Sequence, residues 1–456
     1  MQNSIYSLFR VSASVLILLV LFCSIPSATG RLSLDSSHHL GVLAQSSRGV
    51  YARHWGHRIP PNYNECLQQL SIRCYDPQQM RNAYTVTPLL SAGYIGTGQT
   101  IVIIDSFGSP TAAADLTKFD ADYGLPDPPS FHIFAPLGAV PFDPQNADQV
   151  GWAEETDLDI QWAHVMAPGA SIVLLTSPVA ETQGVQGMPE FLKLEQYALD
   201  HHLGTIFSQS WGTTEETLFT PEGKKVLNSF NDFYRKAAAQ QHITFLASAG
   251  DAGSANPDVN NNIYPFPTVG FPASSPWVTA VGGTSLYADA NGNYQSETAW
   301  NDGIGSATGG GYSLYFKAPD YQKKTLPASV QAASRGYRGL PDVTYNGDPA
   351  TSIPVYLGFL PNPDYYLFGG TSAGTPQWAG LIADANQLAG HPLGFLNQKL
   401  YRLGTLQPQI GPVFHDILSR NNAQGSIPGY QATPGWDAIS GWGSPITAAL
   451  LAHLTQ

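Results

Sequence analysis

The feature that most constrains the fold is a repeated alternation of apolar, β-branched runs with helix-length amphipathic stretches between residues 100 and 248. The runs predict strands and the stretches predict helices, namely strands 100–105, 171–175, 205–210 and 243–248 and helices 112–123, 189–202 and 221–241. Continuous apolar runs are typical of parallel strands that are covered on both faces. The pattern therefore predicts an α/β fold with a doubly wound, mostly parallel central sheet flanked by helices. Its ligand site is expected beyond the carboxyl ends of the strands.

After Gly250 the chain becomes rich in glycine and proline, which predicts long surface loops. Regular structure is expected to return in a helix at 372–388. We find no internal repeat and no low-complexity tract, so one main domain is expected, at residues 79–456.

The first thirty residues have the pattern of a secretory signal, with an apolar run at 15–22 and small residues before a cleavage site after Gly30. An uncleaved membrane anchor is the alternative, although the run is short for a membrane span. One cysteine falls within this segment, so Cys66 and Cys74 remain, and in an exported protein they predict one small disulfide loop. Residues 31–78 are then a short N-terminal arm or a residual pro-segment.

Charge excludes one broad class of partner. The 456 residues include 34 acids and 21 bases, which gives a net charge of -13. A surface of this sign repels phosphate backbones, so no nucleic-acid partner is expected. Near a pH of about 4 most of this charge would be neutralised, which is compatible with an acid-tolerant protein.

Ser372 begins a helix of small and apolar residues, within the sequence Gly-Gly-Thr-Ser-Ala-Gly-Thr-Pro at 369–376. At a helix start a hydroxyl lies near unpaired backbone N–H groups and the positive end of the helix dipole. A nucleophile with half of an oxyanion hole would be placed there. The alternative is that Thr371 or Ser372 only caps the helix.

The partners expected for this serine are carboxylates. None of the twelve histidines stands in a His-Gly-Thr context, and the nearest candidate, His164, has the setting of an ordinary helix residue. Glu155 and Asp159 are four residues apart on a predicted helix, so their side chains emerge on one face. Such a pair can share a proton and accept another under acid conditions. The alternative is a solvated acidic face.

Asp251 follows the apolar strand at 243–248, at the end of the sequence Ala-Ser-Ala-Gly-Asp. An aspartate held protonated at a strand end could donate a hydrogen bond to an oxyanion. The alternative is a local turn in which the carboxylate binds its own backbone. Later in the chain, Asp416 and Asp437 lie among glycine-rich backbone, and carboxylates with free carbonyls suit Ca²⁺.

In this chain order the motifs closely resemble those of the sedolisin, or serine-carboxyl peptidase, family, from about Tyr84 to Leu451. The resemblance implies a subtilisin-like fold in which residues 79–456 are the catalytic domain. It also implies that residues 208–212 pair with the main chain of an extended peptide substrate.

The resemblance further implies the residue roles. Ser372 is the expected nucleophile, Glu155 the general base and acid, Asp159 the residue that orients Glu155, and Asp251 the oxyanion donor. One structural Ca²⁺ is expected, with carboxylate ligands Asp416 and Asp437 and carbonyl ligands Ile417, Thr433 and Gly435. Thr433 stands where glycine is usual, but a backbone ligand should tolerate the change. Asp105, at the end of the first strand, is expected to be structural.

These features predict a secreted, acid-active serine-carboxyl endopeptidase that acts on proteins or peptides. We expect a monomer with no stable membrane association after signal cleavage. Two rivals stay open. One is a catalytically silent scaffold that binds peptides through residues 208–212. The other is a histidine-based subtilisin-like protease that uses His164, whose rate would rise between about pH 6 and 8.

Overall fold

The computed structural model describes residues 44–45 and 51–456, so the predicted signal segment lies outside the described residues. Numbered in chain order, the strands are β1 (Ala44–Gln45), β2 (Tyr51–His54), β3 (Arg73–Cys74), β4 (Thr100–Ser106), β5 (Phe131–Phe134), β6 (Ser171–Ser177), β7 (Ile206–Gln209), β8 (Thr213–Thr214), β9 (Thr244–Ser248), β10 (Gly270–Phe271), β11 (Thr279–Ala288), β12 (Tyr294–Ala299), β13 (Gly311–Lys317), β14 (Tyr337–Leu340), β15 (Val343–Asn346), β16 (Thr351–Leu357), β17 (Asp364–Gly369), β18 (Phe414–His415) and β19 (Ser444–Pro445). The helices are α1 (Tyr63–Glu65), α2 (Pro77–Ala83), α3 (Thr87–Ser91), α4 (Ala112–Tyr123), α5 (Ala147–Met166), α6 (Met188–Asp200), α7 (Pro221–Gln240), α8 (Asp320–Thr325), α9 (Ala328–Ser334), α10 (Thr371–Ala389), α11 (Asn397–Ile410) and α12 (Thr447–Leu454). Among the helices described, none is long and apolar enough to cross a membrane.

The central sheet has eight strands in the order β12-β11-β9-β7-β4-β6-β5, with β15 also paired to β11. Neighbouring strands are parallel except for β11 and β12. After β4 the chain adds β5 and β6 on one side and then β7, β9 and β11 on the other. This doubly wound order confirms the predicted α/β fold and favours a site at the carboxyl ends near β4.

Both faces of the sheet are covered, as the unbroken apolar runs predict. Ile101 and Ile103 of β4 belong to one buried cluster, and Val102 and Ile104 belong to another. Successive side chains of a strand point to opposite faces, so the two clusters are the two layers of core between sheet and helices.

Local signals place the helix ends close to their predicted positions. Helix α4 has the predicted bounds, and it ends at Gly124 in the left-handed conformation with φ 66°. Helix α7 begins at Pro221 after Thr220, whose side chain accepts a hydrogen bond from the N–H of Gly223 at 3.0 Å.

The glycine-rich stretch after residue 250 contains more regular structure than its composition predicts. Strand β11 is a ten-residue strand of the central sheet. A β-carbon on Gly282 would lie 2.8 Å from Pro341, and one on Gly283 would lie 2.8 Å from Trp300. These glycines permit close packing inside a strand, so they do not mark a loop.

A second sheet joins the N-terminal arm to the strand that leads into α10. Its order is β1-β2-β17-β16-β3, with β2 antiparallel to β17 and β3 parallel to β16. The β16–β17 hairpin is therefore flanked on both edges by the arm, which also contains a disulfide between Cys66 and Cys74. Strand β17 ends at Gly369, two residues before α10 begins.

Helices α5 and α10 pack side by side and run in the same direction. Their carboxyl ends meet at Ile95: the side chain of Gln387 accepts a hydrogen bond from the N–H of Ile95 at 2.8 Å, and the N–H of Gly169 donates to the carbonyl of Ile95 at 2.6 Å. The amino-terminal ends of both helices therefore lie at the carboxyl ends of the sheet strands. At that end the N–H of Thr371, the first residue of α10, donates to Asp251, which follows β9.

Candidate active site

Ser372 is the second residue of α10, and its side chain is buried except for 6% of its surface. Gly370 is the N-cap, with a φ of 108°, and its N–H donates to the carbonyl of Gly347 at 2.6 Å. A β-carbon on Gly347 would lie 2.9 Å from the carbonyl oxygen of Gly370, so the paired glycines permit this approach. Gly370 is the N-cap and no side chain makes a capping hydrogen bond, so the alternative that Thr371 or Ser372 caps the helix is wrong.

A groove of about 840 Å³ opens in front of Ser372. Asp251 lines the groove together with residues 210–214. The first part of the predicted substrate strand, Ser208 and Gln209, lies inside the sheet between β4 and β9. Only its last three residues, Ser210 to Gly212, reach the groove.

Glu155 and Asp159 are buried, with 1% and 0% of their surface exposed. The alternative of a solvated acidic face is therefore wrong. Burial is the largest cause that raises the pKa of Asp159 well above its usual range, followed by the charge of Glu155 and then that of Asp105. The hydroxyl of Ser210 donates to Oδ1 of Asp159 at 3.0 Å. A carboxyl in this setting holds a proton that an exposed one would release.

The helix contact brings the acid pair level with the serine. A β-carbon on Gly380 of α10 would lie 2.9 Å from the carbonyl oxygen of Ala163 of α5. Ser372 lies eight residues before Gly380, and Glu155 lies eight residues before Ala163. Because the helices run in the same direction, each residue stands about 12 Å from that contact, at the same end.

Asp251 is tied to the start of α10 by two hydrogen bonds on one oxygen. The N–H and the hydroxyl of Thr371 donate to its Oδ1 at 2.7 and 2.8 Å. The partner is 120 residues away, so the alternative of a local turn does not describe this carboxyl. Burial raises the pKa of Asp251 to about 7, and the two bonds from Thr371 oppose that rise.

His164 is fully buried on α5, away from the residues that line the groove. Its Nε2 lies 2.7 Å from the carbonyl of Pro126 and 3.4 Å from Oδ2 of Asp120. Burial lowers its pKa to about 4. A neutral, enclosed imidazole of this kind packs between helices and gives no support to a histidine-based site.

The proposed calcium residues converge on one loop. Oδ2 of Asp416 accepts a hydrogen bond from the N–H of Gly435 at 2.9 Å, and Oδ2 of Asp437 accepts one from the N–H of Thr433 at 2.7 Å. Burial raises the pKa of both carboxyls, that of Asp437 to about 6. Within residues 51–456, no group of three or more His, Cys, Asp or Glu side chains is arranged to hold a metal. Backbone carbonyls, such as that of Ile417, would have to complete any site.

Three residues at the site were not assigned their observed contacts from the sequence. Thr371 stands inside the quoted Gly-Thr-Ser-Ala motif, and Ser210 stands inside the quoted strand, but neither spacing nor composition reveals what their hydroxyls contact. Asp105 was expected to be structural, yet its charge raises the pKa of Asp159. Its position at the end of β4, where sites collect, was the available signal.

Comparison with known proteins gives evidence on the family of this chain that does not depend on the geometry of the site. The model of the subtilase family matches residues 150–399. Kumamolisin from Bacillus sp. (strain MN-32) is 36% identical over 395 residues, which cover 85% of this chain and 65% of kumamolisin. Sedolisin from Pseudomonas sp. (strain 101) is 32% identical, over 78% of this chain and 57% of sedolisin. Human tripeptidyl-peptidase 1 is 32% identical, over 66% of this chain and 51% of that protein.

A solved structure shares the fold. Pseudomonas sedolisin, complexed with two molecules of pseudo-iodotyrostatin, superimposes with a TM-score of 0.69 at 30% identity. The match covers 84% of this chain and 98% of that one. The chain spans between about half and two thirds of the length of the three relatives named above.

Proposed function

Since the chain belongs to the sedolisin family of serine-carboxyl peptidases, we propose that it is a secreted, acid-active endopeptidase. The observation that carries this proposal is the burial of Glu155 and Asp159 on a helix that runs level with the helix of Ser372. Burial raises the pKa of Asp159, so this carboxyl can hold a proton at a pH where an exposed one would stay ionised.

In the proposed reaction, the hydroxyl of Ser372 attacks the peptide carbonyl carbon while Glu155 takes the hydroxyl proton. Asp159, held by the hydroxyl of Ser210, orients Glu155 and keeps one proton within the pair. Glu155 then donates its proton to the leaving amine. Attack by water on the acyl-enzyme, with Glu155 again as the base, releases the second product.

Stabilisation of the oxyanion is assigned to Asp251 and the N–H of Ser372. Only a protonated carboxyl can donate a hydrogen bond. Because burial raises the pKa of Asp251 to about 7, Asp251 is a donor in acid and loses this capacity as the pH rises through that value. Activity is therefore expected to fall towards neutral and alkaline pH.

The substrates proposed are proteins or peptides in extended conformation. The groove in front of Ser372 is large enough for several residues, and its wall at 210–212 continues strand β7. Main-chain pairing with this segment would position the scissile bond by backbone contacts. Secretion, through removal of residues 1–30, and a monomeric state complete the proposal.

The family resemblance also implies a structural Ca²⁺, and the donor set fits one. Asp416 and Asp437 both accept hydrogen bonds from the backbone of residues 433–435, and all the proposed ligand atoms are oxygens, which Ca²⁺ prefers. The proposed ligands are the carboxylates of Asp416 and Asp437 and the carbonyls of Ile417, Thr433 and Gly435. The cation would stabilise the fold by neutralising the two carboxylates and fixing the loop.

The proposal is tested by hydrolysis of a denatured protein by the purified full chain at about pH 4 and pH 7. Ser372→Ala should reduce the rate by roughly 10³-fold or more, and Glu155→Gln nearly as much. Glu154→Gln, a buried neighbour on the same helix, is the matched control and should retain most activity. Full activity in either Ser372→Ala or Glu155→Gln would refute the proposal. Peptide binding without hydrolysis by the unaltered protein would favour the silent scaffold.

A further inference from the structure

The hydroxyl of Thr371 occupies a bridging position beside the proposed oxyanion donor. It accepts a hydrogen bond from the N–H of Gly250 at 3.1 Å and donates to Oδ1 of Asp251 at 2.8 Å. The side chain is almost fully buried, with 1% of its surface exposed. A hydroxyl has one hydrogen to donate, and here that hydrogen is committed to Asp251.

The bridge makes the two oxygens of Asp251 unequal. Oδ1 accepts both the hydroxyl and the N–H of Thr371. Among the described residues, no hydrogen bond is formed by Oδ2, and Asp251 lines the groove. The carbonyl oxygen of a carboxylic acid is its better acceptor, so two donors on Oδ1 favour a proton on Oδ2.

We propose that Thr371 is a positioning residue that places the acidic proton of Asp251 on Oδ2, where it can be donated towards a reacting carbonyl oxygen in the groove. This inference rests on the proposed peptidase function. Without the hydroxyl of Thr371, the proton of the Asp251 carboxyl could reside on Oδ1 instead. Oδ2 would then face the developing oxyanion without a hydrogen to donate. The fraction of enzyme in the donor state would then fall.

Loss of the hydroxyl of Thr371 should change the pKa of Asp251 measurably, because few other charged groups among the described residues line the same groove. The titratable carboxyls that line the same groove are Asp148 and Glu181. Burial raises the pKa of Asp251, and the two hydrogen bonds from Thr371 lower it. Removal of the hydroxyl should therefore move this pKa in one direction, upwards, because a bond that stabilises the carboxylate is lost.

The test compares Thr371→Val, which removes the hydroxyl, with Thr371→Ser, which keeps it. Thr375→Val is the matched control, because the hydroxyl of Thr375 is also buried in α10 but donates to the carbonyl of Thr371. In Thr371→Val we expect kcat to fall roughly tenfold, KM to change little, and the alkaline limb of the pH profile to move to higher pH. Thr371→Ser should restore both kcat and the limb, and Thr375→Val should leave both unchanged.

Thermal unfolding shows whether each variant folds, and Thr371→Ala replaces Thr371→Val if the valine does not fit. An unchanged kcat and pH limb in the folded variant without the hydroxyl would overturn the positioning role, as would the same shift in Thr375→Val. Failure of the proposed function is a different result: the unaltered protein would show no hydrolysis that depends on Ser372, and both proposals would fall.

Discussion

Gly380 of α10 lies directly against Met166 of α5: a β-carbon built on Gly380 would stand 2.5 Å from the β-carbon of Met166. Two carbon atoms cannot approach so closely, so the helices are in contact here because residue 380 has no side chain. These helices carry Ser372 and Glu155. The distance between the proposed nucleophile, Ser372, and the proposed base, Glu155, therefore depends on Gly380, which lies eight residues after Ser372 on the same helix.

Gly380→Ala should separate the two helices and reduce both stability and activity. We expect a loss of about 1–3 kcal/mol in the free energy of unfolding, because a methyl group is forced into a packed contact. We also expect kcat to fall tenfold or more, because small misplacements of catalytic groups are costly. Denaturant unfolding and the rate at acid pH measure the two effects.

Gly404→Ala is the matched control for this experiment. Gly404 is also a helix glycine in a tight contact, with Trp442, but it lies on α11. It should lose stability in a similar way while the folded fraction keeps its kcat. Equal losses of kcat in both variants would contradict the role of the α5–α10 distance.

Asp251→Asn should remove the fall in activity at higher pH. An amide can still accept both bonds from Thr371 on its oxygen, and its NH₂ group donates at every pH. In the unaltered protein the pKa of Asp251 is about 7, so the proposed donor, its protonated carboxyl, is lost as the pH rises through that value. Initial rates from pH 3 to 9 test this, and an unchanged alkaline limb in the variant would assign that limb to another group.

The protein should be more stable in mild acid than above neutrality. Burial raises the pKa of Asp120 and Glu216 to about 8 and that of Glu154 to about 7. Between the unfolded values near 4 and these folded values, the native state holds protons that the unfolded chain has released. The free energy of unfolding therefore falls as the pH rises through this window.

Buried His164 acts in the opposite direction, because its pKa is lowered to about 4 and its contribution is lost as the pH falls from about 6.5. Between pH 5 and 8 the three carboxyls of raised pKa change the free energy of unfolding more than His164 does. We expect the unfolding temperature at pH 5 to exceed that at pH 8 by about 5 °C or more. Calorimetry with calcium held constant measures this difference, and a higher unfolding temperature at pH 8 would show that the carboxyls are ionised in the folded state.

Removal of calcium should lower the unfolding temperature of the proposed holoprotein. The expected cause is repulsion and exposure of Asp416 and Asp437 once no cation balances them. Asp437→Asn should abolish the response of the unfolding temperature to added Ca²⁺. Asp289→Asn, an exposed carboxylate in the β11–β12 turn, should leave the response intact. No response in the unaltered protein would contradict the calcium proposal.

The sequence predicted the fold class and most elements of the α/β core, because the signals involved are local. The apolar run before Asp105, the left-handed Gly124 and the cap at Thr220 each act within a few residues. Strand β11 was not predicted from the sequence. Gly282 and Gly283 are required by close contacts with residues far along the chain, and composition alone cannot distinguish such glycines from those of a loop.

The candidate site was predicted residue by residue but not in its contacts. Motif order indicated Ser372, Glu155, Asp159 and Asp251, whose proposed roles await experiment. The bond from Thr371 to Asp251 joins residues 120 positions apart, and no periodicity in the sequence carries such a relationship. The effect of the charge of Asp105 on the pKa of Asp159 depends in the same way on the packing of α5 against β4.

The pairing of β2 with β17 has a consequence for biosynthesis. His54 lies 3.0 Å from Asp364, a residue 310 positions later in the chain. Strand β2 must wait, without its partner strand, until β17, about 310 residues later in the chain, has left the ribosome. The second sheet, whose strand β17 leads into the helix of Ser372, can form only then. A chain that stops before residue 364 would therefore lack both this sheet and the proposed nucleophile.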